Sequence, residues 1–208
     1  LTWKDMEEYN LIYKEVAPKS MSINMMGEYY KFKYPNFSLP KNFINDDPLI
    51  LAQLIKNCIE PANWRYLLRN ALYGENLIKL SSNLINKIFQ IVQDNPKVTS
   101  IMTYNYDNFI ELFFKQKGFK TSSIVGENYF TRHKHFPIYH LHGILPLEGG
   151  LESKVYLSEE DYLTDIIQPN SWYNQLHTTK LTSSCCMFIG LSFNDPSLKR
   201  KLAIHRLA

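Results

Sequence analysis

The stretch that most constrains the fold is residues 98–125, in which the period of the hydrophobic pattern changes twice. Residues 98–104 form a short, β-rich apolar run, 107–117 carry the apolar stripe of a helix, and 120–125 form a second β-rich run. Gly118 stands where the helix is expected to end, because glycine readily adopts the conformation that terminates helices. This strand–helix–strand order favours a parallel sheet with helices on its faces.

The same alternation continues toward the end of the chain. The pattern predicts further strands at 137–141, 154–157 and 185–190, and further helices near 159–167, near 170–180 and from Pro196 onward. We therefore predict an α/β fold with a Rossmann-like parallel sheet of six or fewer strands and helices on both faces.

The first half of the chain has a different pattern. Residues 1–45 are rich in Tyr and Asn and give no clear assignment. Three helices are then predicted: one that starts at Asp46 or Asp47 with Pro48 in its first position, one from Pro61 to Tyr73, and one that ends near Asp94. We interpret 1–208 as a single domain, with a mostly helical N-terminal or inserted module over about 1–97 and a Rossmann-like part over about 98–208.

Composition and charge narrow the functional classes. Hydrophobic residues make up 45% of the chain and the net charge is +3, as in an ordinary soluble globular domain. No apolar run approaches the roughly 18 to 20 residues of a membrane span, and the basic residues are too scattered to predict direct nucleic-acid binding. The three cysteines, two of them adjacent at Cys185 and Cys186, predict neither a disulfide framework nor a zinc cage and favour a reducing cytoplasm.

Polar residues gather where three predicted strands end. They are Thr103, Asn105 and Asp107 at the first strand, His140, His142 and Gly143 at the second, and Gly190 and Ser192 at the third. The carboxyl ends of parallel strands lie on one edge of a sheet, where α/β proteins bind ligands. We therefore expect these residues to converge on one crevice.

Simpler structural roles are also open to these residues. Asp107 is well placed to cap the helix that follows, and Asn105 tolerates a tight turn. His142 is a candidate general base, because an imidazole titrates near ~6.5 and accepts a proton at cytosolic pH, or else a core histidine bonded to a backbone carbonyl. Residues 158–161 have the pattern of a capping box, for which we accept the structural explanation alone.

Four segments together resemble the sirtuin-like (silent information regulator type) NAD-consuming domains of bacterial antiphage defence proteins. They are TYNYDN at 103–108, YHLHG at 139–143, LSEEDY at 157–162 and FIGLSFNDPSLKR at 188–200. The resemblance covers about 98–204 in the order expected for that family, which makes it more specific than any single motif.

The resemblance implies roles for particular residues. In that family the T-x-N-x-D strand end contacts the nicotinamide end of NAD, the His of the H-G pair is the catalytic base, and the G-x-S turn binds the adenosine-side ribose. It thus implies that Asn105 and His142 are catalytic, and that NAD is bound by Thr103, Asp107, Gly190 and Ser192.

Two departures from the family pattern bear on function. Deacylases of this family carry a module held by zinc on two C-x-x-C pairs, which three cysteines cannot supply. The resemblance therefore implies a helical module in its place, no metal, and hydrolysis of NAD in preference to lysine deacylation. The phosphate-binding loop G-A-G-x-S is also absent, and Leu1–Asp5 resembles the tail of that segment, as though the first strand and the loop preceded residue 1.

A histidine-based zinc site is an alternative to the metal-free prediction. His140 and His142 share one face of a predicted strand, and either His133 or His135 would supply a third ligand. No suitably spaced carboxylate or cysteine accompanies them. We therefore prefer a site without metal.

We predict an NAD+ glycohydrolase that produces ADP-ribose and nicotinamide as the effector of an antiphage defence system. NAD+ is then a substrate and not a resident cofactor. A non-catalytic NAD-binding sensor or assembly module and an NAD-dependent protein deacylase are the alternatives. The expected partners, beside NAD+, are further copies of the chain or a partner defence protein, and the expected location is the cytoplasm.

Overall fold

The fold is described from a computed structural model. The described residues are 48–57, 61–73, 82–127, 134–150, 153–168, 171–191, 193 and 196–207. The unassigned region 1–45 and the start of the first predicted helix at Asp46 or Asp47 lie outside them.

Three helices come first along the described chain: α1 (Pro48–Asn57), α2 (Pro61–Tyr73) and α3 (Asn83–Asp94). They confirm the three predicted helices, and α2 has the predicted bounds. α3 ends at Asp94 as predicted but begins at Asn83, later than the apolar pattern from Leu77 indicates, because Ser82 is extended. Ser82 caps α3, because its side chain accepts a hydrogen bond from the Ile85 N–H at 3.1 Å.

The strands of the described chain and four further helices follow. The elements are β1 (Ile101–Thr103), α4 (Phe109–Gln116), β2 (Thr121–Ile124), β3 (Phe136–His140), α5 (Glu159–Ile167), α6 (Trp172–Ser183) and α7 (Pro196–Leu207). Gly118 follows α4 with a φ of 74°, the left-handed conformation expected of a glycine that ends a helix.

Within the described residues the sheet has three parallel strands in the order β1-β3-β2. Thr103 of β1 lies opposite His140 of β3, and Ile124 of β2 lies opposite Tyr139. The ladder between β1 and β3 continues past the strands, since the Leu141 N–H donates to the Thr103 carbonyl at 2.9 Å. The predicted parallel α/β fold is confirmed, and all three strands end at the same edge.

Two of the predicted strands are wrong. Residues 154–157 and 185–190 belong to no strand of the described sheet. In the first segment one backbone bond runs to the turn after β3, from the Tyr156 N–H to the His142 carbonyl at 3.0 Å, and the Tyr156 carbonyl accepts from the Tyr106 hydroxyl at 2.7 Å. In the second, Met187 is 64% exposed. An apolar run becomes a strand only where a neighbouring strand supplies backbone partners, and composition does not reveal that neighbour.

The core joins the helices to the sheet through aromatic rings. Phe89 of α3 packs edge-on against Phe114 of α4 with ring centroids 5.0 Å apart, and Phe114 packs in the same way against Phe119 at 5.6 Å. Leu68 and Leu72 of α2 belong to the same buried cluster. Full burial of each such side chain stabilises the fold by about 1.5–3 kcal/mol, so this cluster fixes the helices that flank the sheet.

An ion pair between Lys56 of α1 and Asp161 of α5 links the two helices. The predicted capping box is present at the start of α5, where Asp161 Oδ2 accepts hydrogen bonds from the Ser158 N–H at 3.0 Å and the Ser158 hydroxyl at 2.7 Å. Lys56 Nζ lies 3.0 Å from Asp161 Oδ1. Burial of Asp161 acts to raise its pKa, but the bonds from Ser158 and Lys56 outweigh burial and lower that pKa.

No helix within the described part of the chain is both long enough and apolar enough to cross a membrane.

Candidate active site

The candidate site lies where β1 and β3 end side by side. The β1–α4 loop, residues 104–108, leaves the sheet next to the turn 141–143 that follows β3. The Tyr104 ring of the loop lies 4.7 Å from the His142 ring of the turn, measured between centroids. The structure therefore brings Asn105 and His142, predicted from separate motifs, to one edge of the sheet.

The sequence of the β1–α4 loop explains its shape. The Thr103 hydroxyl oxygen accepts a hydrogen bond from the Asn105 N–H at 3.0 Å, which turns the chain directly after β1. Asp107 Oδ1 accepts from the Phe109 N–H at 3.0 Å at the start of α4. Asp107 thus binds the first N–H of α4 from the position before the N-cap, which is Asn108. Asn105 is exposed.

The other oxygen of Asp107 has the environment of a ligand-binding atom. Asp107 is only 4% exposed, and its Oδ2 has no hydrogen-bond partner among the described residues. Burial raises the pKa of Asp107 to about 6, against the lowering effects of the Phe109 N–H and of His140. A buried unpaired carboxylate oxygen costs about 1–3 kcal/mol, and such costs are characteristic of functional sites.

His142 is held in a cage of three tyrosines, Tyr104, Tyr106 and Tyr162. Beside the contact with Tyr104, its ring centroid lies 5.4 Å from that of Tyr162 and 6.4 Å from that of Tyr106. The Tyr162 hydroxyl lies 3.5 Å from His142 Nδ1. His142 is 2% exposed, so the tyrosine cage shields a group able to carry a proton from bulk water.

Gly143 is required where the turn passes residue 154. Its φ is 85°, and a Cβ placed on it would collide with the backbone carbonyl of Lys154. The H-G pair is thus explained by a close approach of two backbone segments that only glycine permits.

We expect Gly143→Ala to lower the free energy of unfolding by about 1–3 kcal/mol more than Gly149→Ala, because it adds overpacking against a backbone atom to the strain of a positive φ. Gly149 is the matched control, with a φ of 100° and nothing within 4 Å of an added Cβ. Urea unfolding of both variants measures the difference. Equal losses in the two variants would contradict the role given to the Lys154 carbonyl.

Several site residues were not identified from the sequence. Tyr162 and Tyr104 lie in two of the four segments that resemble the family, LSEEDY and TYNYDN, but no role in the site is predicted for either. The Tyr104 hydroxyl also lies 3.2 Å from Nε2 of His177, a buried residue of α6. Their signal in the sequence is weak, because tyrosines are frequent in this chain and nothing local shows which of them meet.

The histidines of the zinc alternative have other contacts. His140 Nε2 lies 2.6 Å from Glu111 Oε1, and His135 Nδ1 lies 3.1 Å from the Thr121 carbonyl. His133 lies outside the described residues. Over the part of the chain that is described, no group of three or more His, Cys, Asp or Glu side chains has a metal-binding arrangement.

The third predicted strand end is not observed, because residues 185–190 form no strand of the described sheet. Gly190 is exposed with a φ of 69°, a conformation that favours glycine. Since the preceding residues 185–189 are not a strand, the prediction that Gly190 ends a strand is wrong. Ser192 lies outside the described residues, and its role in binding NAD stays a prediction.

Comparison with known families gives one match. The family model of the SIR2-like domain matches residues 99–205 of the chain. This range contains β1, β2, β3 and the candidate residues Thr103, Asn105, Asp107, His142, Gly190 and Ser192. No curated protein matches the chain.

Proposed function

Since the chain belongs to the family of SIR2-like domains, which supports an NAD-related function, we propose that it is a glycohydrolase that splits NAD+ into ADP-ribose and nicotinamide. NAD+ is the substrate, and the proposed reaction uses no metal. The crevice at the end of β1 and β3 is the proposed site of cleavage.

The observation that carries this proposal is the buried Oδ2 of Asp107, which has no partner among the described residues and belongs to the loop that also contacts the shielded His142 through Tyr104. A carboxylate oxygen accepts hydrogen bonds, and the carboxamide of nicotinamide offers N–H donors. Binding of that group would satisfy an atom that has no partner among the described residues. Asp107 is therefore the proposed contact of the nicotinamide carboxamide, with Thr103 beside it at the end of β1.

Asn105 and His142 are proposed to carry the chemistry. Cleavage of the bond between nicotinamide and ribose passes through an oxocarbenium-like state, which one positioned water molecule then attacks. The exposed amide of Asn105 can orient that water or the ribose hydroxyls. His142 accepts the proton, a step worth ~10² to 10⁴ in rate, and the tyrosine cage excludes competing solvent.

The test is to incubate the complete protein with NAD+ alone and to measure nicotinamide and ADP-ribose. We expect both products in equal amounts without any added peptide. Binding of NAD+ with no turnover would favour the sensor or assembly module. Turnover that requires an acetyl-lysine peptide would instead favour the deacylase.

From the resemblance of the four motifs we further propose that NAD+ hydrolysis serves antiphage defence in the cytoplasm, in an assembly of several copies or with a partner defence protein. Cells that express the complete protein should survive phage challenge better than cells that express His142→Ala. Equal survival at matched protein levels would contradict this biological role and leave the enzymatic proposal to the product assay.

A further inference from the structure

We propose that Glu111 and His140 form a positioning pair that holds the backbone of Asn105 in the geometry needed for catalysis. The proposal rests on the proposed function, because it assigns to Asn105 a task in NAD+ cleavage. It concerns two residues that touch no substrate and act through the β1–α4 loop.

The contacts form one continuous chain. His140, at the end of β3, directs Nε2 toward Glu111 Oε1 of α4 at 2.6 Å and Nδ1 toward the Asn105 carbonyl oxygen at 3.3 Å. Ser123 of β2 donates its hydroxyl proton to the same Glu111 oxygen at 2.8 Å. The helix, two strands and the loop are thereby joined, and the contacts end at Asn105, whose side chain is exposed.

The partners of His140 determine where its protons lie. Both ring nitrogens face oxygen atoms, and a backbone carbonyl only accepts hydrogen bonds, so Nδ1 must carry a proton. The proton between Nε2 and Glu111 then sits on either partner without altering the Nδ1–H bond to Asn105. The Asn105 carbonyl therefore requires a proton on Nδ1 of His140, and Glu111 holds the ring in place through Nε2.

The backbone of Asn105 is held on both sides by this arrangement. Its N–H donates to the Thr103 hydroxyl at 3.0 Å, while its carbonyl accepts from His140. The side chain remains exposed. A fixed backbone under an exposed amide is the arrangement expected where the amide must orient a reactant, since small misplacements of such groups cost up to ~10² in rate.

A contribution to stability does not by itself explain why Glu111 and His140 are buried together. His140 is fully buried and Glu111 is 11% exposed in its side chain. A buried ion pair can often be replaced by well-packed apolar residues without loss of stability, because the charges must first be removed from water. A role in placing the loop explains why a polar pair occupies this buried position.

The test compares four variants of the complete chain in the nicotinamide-release assay. His140→Leu and Glu111→Leu remove the donor and the residue that holds its ring, and each should lower kcat by ~10- to 100-fold with KM within about threefold. Glu111→Gln keeps a hydrogen bond to Nε2 and should stay within about threefold of wild type. Asp94→Asn, at an exposed position of α3, is the control and should stay within about twofold.

Stability is controlled with a double variant. Glu111→Leu/His140→Leu leaves neither charge unpaired, so it supplies a folded comparison where a single variant unfolds. It should show the same loss of kcat per folded molecule. A folded double variant with wild-type kcat would overturn the proposal.

Histidine nitrogen NMR gives a readout that needs no activity. In wild type and Glu111→Gln, the His140 resonances, assigned by their loss in His140→Leu, should show a protonated Nδ1, and in Glu111→Leu the Nε2 resonance should shift because its hydrogen bond is lost. An unprotonated Nδ1 in wild type would overturn the proposal. A wild type that binds NAD+ but releases no nicotinamide would reject the proposed function, and the spectra would then decide the hydrogen bond to Asn105 by themselves.

Discussion

His142→Ala and Asn105→Ala each lower NAD+ turnover by at least ~10²-fold and change NAD+ affinity little, if the two residues share the proposed site. The losses fall on the transition state, because one variant lacks the proton acceptor and the other lacks the positioning amide. Since the two side chains act as one unit, the double variant should lose much less than the product of the two single losses. Nicotinamide release and NAD+ binding measure the two quantities.

His135→Ala is the matched control for His142→Ala. His135 directly precedes β3 at the opposite end of the strand, where its Nδ1 contacts the Thr121 carbonyl. It should keep wild-type turnover per folded molecule. Thermal melting must accompany each assay, because purely structural roles for Asn105 and His142 predict losses of activity in proportion to unfolding. Stable variants with the turnover of wild type would reject both assignments.

Asp107→Asn is expected to stabilise the free protein at neutral pH while it damages function. The native pKa of about 6 lies above the 3.8 of an ordinary Asp, so the native state holds its proton more tightly than the unfolded chain does. The stability associated with protonated Asp107 is therefore fully present below about pH 4, is lost as pH rises toward 6, and stays absent above it. The free energy of unfolding falls by at most about 3 kcal/mol, because each unit of difference between the native and the ordinary pKa of Asp107 corresponds to ~1.4 kcal/mol.

Denaturant unfolding of wild type and Asp107→Asn at pH 4, 5, 6 and 7.5 checks this expectation. The free energy of unfolding of the variant should rise relative to that of wild type as the pH increases from about 4 to 6, because the amide has no proton to lose. Carboxylates that do not interact with Asp107, such as Asp161 with its lowered pKa, act equally in both proteins and cancel in the difference, whereas Glu111 acts on the pKa of Asp107 and contributes to it. Asp94→Asn removes an exposed carboxylate and is the control. A difference that does not change with pH would contradict the burial of a charged Asp107.

The functional cost of the same substitution is the second half of the prediction. Loss of a charge-assisted hydrogen bond to the nicotinamide carboxamide should raise KM for NAD+ by about 10- to 100-fold. A stabilised variant with weaker substrate use is the pattern expected where a site keeps an unfavourable group for binding. A stabilised variant with unchanged KM would show that Oδ2 of Asp107 contacts no substrate.

The sequence by itself determined the elements whose signals are local. The three helices before β1, the helix that ends before Gly118 and the capping box at Ser158 depend on period, caps and glycine, all of which act within a few residues. The parallel sheet followed from the β-α-β order, because such connections leave few topologies. That order also predicted that Asn105 and His142 meet at one edge, since strand ends of a parallel sheet coincide.

Only the tertiary structure decided what depends on partners distant in the chain. The apolar segment 185–190 has the composition of a strand, but pairing requires a neighbour that composition cannot specify. The sequence marks Glu111 only as a residue of an amphipathic helix. The packed structure shows that its Oε1 lies 2.6 Å from His140 Nε2. The unpaired oxygen of Asp107 and the tyrosine cage likewise arise from burial, because burial and hydrogen-bond satisfaction are properties of the packed chain and not of its local pattern.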